Sequence, residues 1–126
     1  MTRNPGRSPR IAIVGATLLI ALITLIPRSE YTAPRFDWSL TSSPRELLES
    51  VLNVVLFMPF GAALYTNRQI LLTTATLGFG LSLVVELLQR FVIPGREGEL
   101  QDLITNTLGA ILGWILARAL ARQPAA

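Results

Sequence analysis

Six side chains in an otherwise apolar chain have the types and spacing for recognition chemistry. They are Asn53, Glu86, Gln89, Arg96, Asp102 and Asn106. Glu86 and Gln89 sit one helical turn apart inside an apolar run, which leaves through Pro94 and Gly95 into a short polar loop. An acid in a membrane span costs ~2–3 kcal/mol or more at mid-depth, so Glu86 must pair, protonate or face water. Arg96 is its nearest cationic partner in sequence, and a guanidinium fork matches phosphate or carboxylate. The three amides supply neutral hydrogen bonds, or act as interhelical glue worth ~0.6–2 kcal/mol each. Glu97 and Glu99 read as solvated loop charges, Arg90 as a snorkelling helix end, and Trp38 and Trp114 as interface or packing residues.

The elements that must position these groups are helices in lipid. Of 126 residues, 51% are apolar and only 15% charged, and the mean hydropathy is +0.50. A soluble domain carries about a quarter charged residues. Without cysteine or histidine the chain has no thiol, disulfide or imidazole chemistry and lacks the common transition-metal ligands. All eleven cations are arginine, and the net charge of +3 is too small and scattered for nucleic-acid binding. Two carboxylates alone are weak support for acid–base catalysis. No catalytic residue, metal site or cofactor is therefore expected.

The fold expected is all-α, an integral membrane bundle of four transmembrane helices. Residues 1–10 are a polar tail. Helix 1 is the charge-free run Ile11 to Ile26, read as a retained span because no small-x-small cleavage site follows it. Residues 27–45, with three prolines and Tyr31, Phe36 and Trp38, form a loop resting at headgroup level. Ser43, Pro44 and Glu46 have the pattern of a capping box with proline at the first helical position. Helix 2 then runs from Pro44 to about Tyr65, bent by Pro59. Helix 3 covers roughly Ile70 to Phe91, and helix 4 Leu100 to Ala119. Residues 11–122 are one four-helix domain, and 123–126 a tail. The charge-free segments are slightly short of the ~20 residues a span needs, and flanking arginines can snorkel.

Antiparallel neighbours put the N-tail, residues 67–69 and the C-tail on one side of the membrane with six arginines. The two longer loops on the other side hold five arginines and seven of the eight acids. Both termini are accordingly placed in the cytoplasm, although the arginine count alone decides little. At ~1.5 Å per residue, Asn53, Glu86, Gln89, Asp102 and Asn106 then share one level just under the outer surface, with Arg96 above them. Each set also shares one helical face: Asn53, Phe57 and Gly61; Gly78, Ser82, Glu86 and Gln89; Asp102, Asn106, Gly109 and Gly113. Gly109 and Gly113 form a GxxxG that admits a close neighbour.

The pattern Asn53-x3-Phe57-x-Pro59-x-Gly61, Glu86-x2-Gln89, Arg96 with Asp102, and Asn106-x2-Gly109 resembles the VanZ-like membrane proteins over about residues 45–117. The resemblance implies a small multi-pass protein of the bacterial inner (cytoplasmic) membrane. The family's namesake is associated with low-level resistance to the glycopeptide teicoplanin. It also marks the same six polar residues as the site, with Phe57, Pro59, Gly61 and Gly109 as structural positions, to which the GxxxG adds Gly113. The function expected is recognition of an envelope amphiphile, such as a lipid headgroup, a cell-wall precursor or a lipoglycopeptide, by an outward-facing polar pocket. The alternative is a small proton-coupled exporter, working as a homo-oligomer, in which Glu86 titrates. The lipid bilayer is the surrounding partner in either case, and an intramembrane enzyme ranks last.

Overall fold

The start of the second helix follows local chemistry closely. The computed structural model describes residues 7–29, 35–40 and 42–123. Among these residues there are four helices: α1 (Arg7–Thr24), α2 (Pro44–Thr66), α3 (Leu71–Phe91) and α4 (Leu100–Ala121). At the head of α2 the Ser43 hydroxyl accepts from the Glu46 N–H at 3.3 Å, and the Glu46 carboxylate accepts from the Ser43 N–H at 2.9 Å. Two donors that the helix leaves unpaired are thereby satisfied, as the sequence predicts. The helix continues through Pro59, which faces outward. Arg68 adopts a left-handed conformation (φ 61°), and the Gln69 N–H donates to the Leu64 carbonyl at 3.0 Å. This reverses the chain within a few residues and sets α3 against α2.

The first helix differs from the sequence reading. It begins at Arg7, inside the expected tail, and stops at Thr24, two residues short of Ile26. Pro27 disfavours helical backbone at the residue before it, and the last carbonyls of α1 are taken by side chains from elsewhere. The apolar part of α1, Arg10–Thr24, is shorter than a span, whereas α2, α3 and α4 are long and apolar enough to cross a membrane. Large apolar side chains such as Leu22, Val51, Leu72 and Leu116 lie exposed along the outside. The chain is therefore a multi-pass membrane protein whose helices contact the lipid bilayer.

The core lies between helices and is small. Ile20, Phe57, Phe60, Leu64, Val85 and Ala110 pack together. Around them α2 and α4 approach backbone to backbone. A Cβ on Gly61 would strike the backbone of Ala110, one on Gly109 that of Val54, and one on Gly113 that of Met58. The GxxxG of α4 is thus answered by a glycine on α2, which is why these two helices pack most closely.

The stretch expected to rest as a loop is more ordered than that. Phe36–Asp37 (β1) and Gly98–Glu99 (β2) pair as a two-residue parallel bridge, Phe36 opposite Gly98 and Asp37 opposite Glu99. The Arg35 guanidinium reaches Glu97 at 2.8 Å across the same junction. Trp38 is exposed and lies against Phe36, ring centres 4.5 Å apart. Residues 1–6 of the expected N-terminal tail, Tyr31 and Pro34 of the loop, and residues 124–126 of the C-terminal tail lie outside the described residues.

Candidate functional site

Each helix presents the face expected from the spacing. On α3, Gly78, Ser82, Glu86 and Gln89 are all buried. On α4, Asn106, Gly109 and Gly113 are buried, as are Phe57 and Gly61 on α2. Asn53 and Asp102 are half-buried. The upper parts of these faces surround one cavity of about 400 Å³, and all six residues singled out from sequence line it.

Glu86 is the least exposed of the six, at 1%. Its carboxylate accepts the Glu99 N–H at 2.8 Å. A buried carboxylate on α3 therefore pins the loop that carries β2, and Gly98 makes room for this by fitting between the Phe36 ring and the Glu86 carbonyl. The sequence reading gave Arg96 to Glu86, and the structure corrects this. The Arg96 guanidinium donates to the carbonyls of Thr24 at 2.9 Å and Ile26 at 3.3 Å. The Gln89 amide donates to the same Thr24 carbonyl at 2.9 Å. The end of α1 is thus clasped by a cation and an amide, which suits the negative end of a helix dipole. Burial, then the neighbouring Arg28, lowers the pKa of Arg96 from the usual guanidinium value.

On α4, Asp102 sits beside Asn53, and Gln101 donates to the Ser50 hydroxyl at 2.8 Å. Asn106 is 2% exposed. Its amide N–H donates to the Ser82 hydroxyl at 3.0 Å, while its Oδ1 is buried without a partner. Buried polar atoms are nearly always paired, so this one calls for an explanation.

Several wall residues escaped the sequence reading. Thr24, Arg28 and Glu49 line the cavity, and so do Glu97 and Glu99, expected to be solvated loop charges. Glu99 is half-buried, and its pKa is pushed up to about 7, chiefly by burial and then by the nearby Asp102 and Glu49 charges. Only the cluster of acids around the 98–102 loop signalled this in advance. Trp114 behaves as the packing residue expected: it is buried, its Nε1–H donates to the Gln69 carbonyl at 2.8 Å, and it meets Tyr65 edge-on. Arg90 stacks over Phe91, 4.8 Å from the ring centre.

The VanZ/LLP1 family model matches residues 6–121, nearly the whole chain. The chain belongs to the VanZ/LLP1 family. Neither a curated protein nor a solved structure matches it. In this VanZ/LLP1 protein the cavity walls carry five carboxylates and two guanidiniums. Three apolar side chains on those walls also face outward: Ile23, Leu52 and Val55, 47%, 56% and 55% exposed. Such a site can present charged hydrogen-bonding groups to a polar head while an attached apolar chain stays in lipid.

Proposed function

We propose that this VanZ/LLP1 protein recognises an envelope amphiphile, without catalysing a reaction, in a cavity open to the outer side of the bacterial inner membrane. Residues 11–122 act as one transmembrane domain of four spans, α1 being completed by its snorkelling arginines. Both termini lie in the cytoplasm. The ligand class is a lipid headgroup, a cell-wall precursor or a lipoglycopeptide, and protection against teicoplanin is the cellular consequence to test. Asn53, Glu86, Gln89, Arg96, Asp102 and Asn106 form the site. Glu86 and Gln89 with Arg96 hold its roof and its α1 wall, and Asn53, Asp102 and Asn106 offer hydrogen bonds to the ligand.

The observation that carries this reading is the composition of the cavity wall, where carboxylates and guanidiniums meet the lipid-facing Ile23, Leu52 and Val55. Pockets for drug-like ligands are mostly apolar; eleven of the sixteen residues lining this one are polar or charged, as a polar head requires. A proton carrier needs a carboxyl free to change partners. The Glu86 carboxylate instead accepts a loop N–H at 2.8 Å, which favours binding over export.

The reading is tested in two steps. Single cysteines at positions 37, 68, 97 and 122 are labelled from outside in intact cells. Labelling at 37 and 97, but not at 68 or 122, is expected, and the reverse pattern turns the cavity to the cytoplasm. Cells expressing the chain are then challenged with teicoplanin, and the purified protein is scanned for retained amphiphile by native mass spectrometry. Arg96→Ala and Glu86→Gln should insert normally but lose protection and retained ligand. Unaltered behaviour of both variants would remove the cavity from the account.

A further inference from the structure

The hydrogen-bonding balance of the cavity is uneven, and the imbalance specifies what enters it. Of the two arginines on the wall, Arg96 has committed Nε and one terminal nitrogen to the carbonyls of α1. Arg28 is exposed, at the rim. Among the acids, Glu97 is neutralised by Arg35 and Glu49 faces Arg45 at 3.2 Å. Glu99 and Asp102 have no arginine within ion-pair distance among the described residues. Below them Asn106 is 2% exposed, on the cavity wall, with an acceptor oxygen that nothing meets. Acceptors without a cationic partner thus gather in the interior, and they include a buried oxygen with no hydrogen-bond partner.

A compact metal ion is a poor answer to these acceptors. Among the described residues no three carboxylate side chains come together in metal-ligating range, and about 400 Å³ is far more space than an ion fills. An ammonium group fits better. It brings three donors and no acceptor, and charge-assisted bonds to carboxylates are about twice as strong as neutral ones. An arginine at the rim and acids further in suit a head with an anionic group outside and a cationic group inside. We propose, resting on the amphiphile reading above, that the cavity takes a zwitterionic aminophospholipid head. Its ammonium donates to Asn106 Oδ1 and to the Asp102 and Glu99 carboxylates, its phosphate meets Arg28, and its chains leave past Ile23 and Leu52.

The test uses the full chain in nanodiscs containing equal amounts of phosphatidylethanolamine, its N-acetyl derivative and phosphatidylglycerol. Lipid retained by the protein is counted by native mass spectrometry after release. Phosphatidylethanolamine should be retained about tenfold over the N-acetyl form, the ratio expected for losing one hydrogen bond to a charged group. Asn106→Leu and the isosteric Asp102→Asn should each erase that preference, the second serving if the first folds poorly. Equal retention of the amine and its N-acetyl form leaves an amphiphile site standing and overturns the amine. Preference for phosphatidylglycerol does the same. Retention of none of the three, in wild type and variants alike, overturns both the amine and the aminophospholipid as occupant, and the reading itself falls if teicoplanin protection is also unaffected by the site variants.

Discussion

Between Met58 and Gly113, α2 and α4 touch backbone to backbone, whereas nearer the head of α4 Asn53 and Asp102, side by side, line a cavity. The same two helices meet through backbone in one half and through polar side chains in the other, where Gln101 donates to the Ser50 hydroxyl. The difference lies in side-chain size. Gly61, Gly109 and Gly113 supply the sealed half, and amides and acids line the open one. Small residues in one half let the backbones meet, and larger polar side chains in the other leave room for a ligand. Lipid gives helices little hydrophobic reason to associate, so close packing in the sealed half must hold the pair together.

Opening the sealed half is the most damaging way to break this comparison. Gly113→Leu places a side chain in the Met58 backbone and should cost about 3 kcal/mol or more, at the upper end of overpacking. Loss of the monodisperse peak in detergent size exclusion checks it, and a normal peak would mean that the seam does not hold the helices. In the open half, Glu86→Leu removes the acceptor for the Glu99 N–H. The Glu99 amide should then exchange with deuterium about ten- to a hundredfold faster, while α2 and α4 amides near Gly61 and Gly113 keep their protection. Trp114→Phe deletes one hydrogen bond beside the sealed half and should cost about 1 kcal/mol, read as a small fall in melting temperature with the cavity's ligand retention unchanged.

The smallest effect sharpens the contrast through pH. Burial and like charges raise the Glu99 carboxyl to about 7 from an ordinary 4.5. The folded protein therefore binds that proton more tightly than the unfolded chain. The resulting stability is fully present below the unfolded value and is lost as pH rises through about 7. Melting temperature should decline slightly over that window, and Glu99→Gln should flatten the decline. An unchanged slope in Glu99→Gln would assign the titration elsewhere.

The sharing of helical faces is largely legible in the sequence. Spacings of three, four and seven residues told which polar groups share a face with which glycines, because a helix imposes that period on any sequence it holds. The Ser43–Glu46 box fixed where α2 starts. What stayed hidden had no period. β1 and β2 pair over only two residues, too short a run for a side-chain period to announce them. Arg96 was matched with Glu86 by proximity in sequence, since nothing in the residue order reveals that α1 ends with carbonyls in need of donors. The early stop of α1 has the same origin. Pro27 limits the helix, but the clasp from Gln89 and Arg96 appears only in three dimensions.

The roof over the cavity has one more implication. Arg35 and Glu97 are 62 residues apart in sequence, and both neighbouring bridge residues flank that contact. While the ribosome is still extending α3, the partner segment for Phe36 has not been made. Three of the five wall acids, Glu97, Glu99 and Asp102, are likewise made only after α3, so the cover and most of the acidic interior are completed together, late in biogenesis.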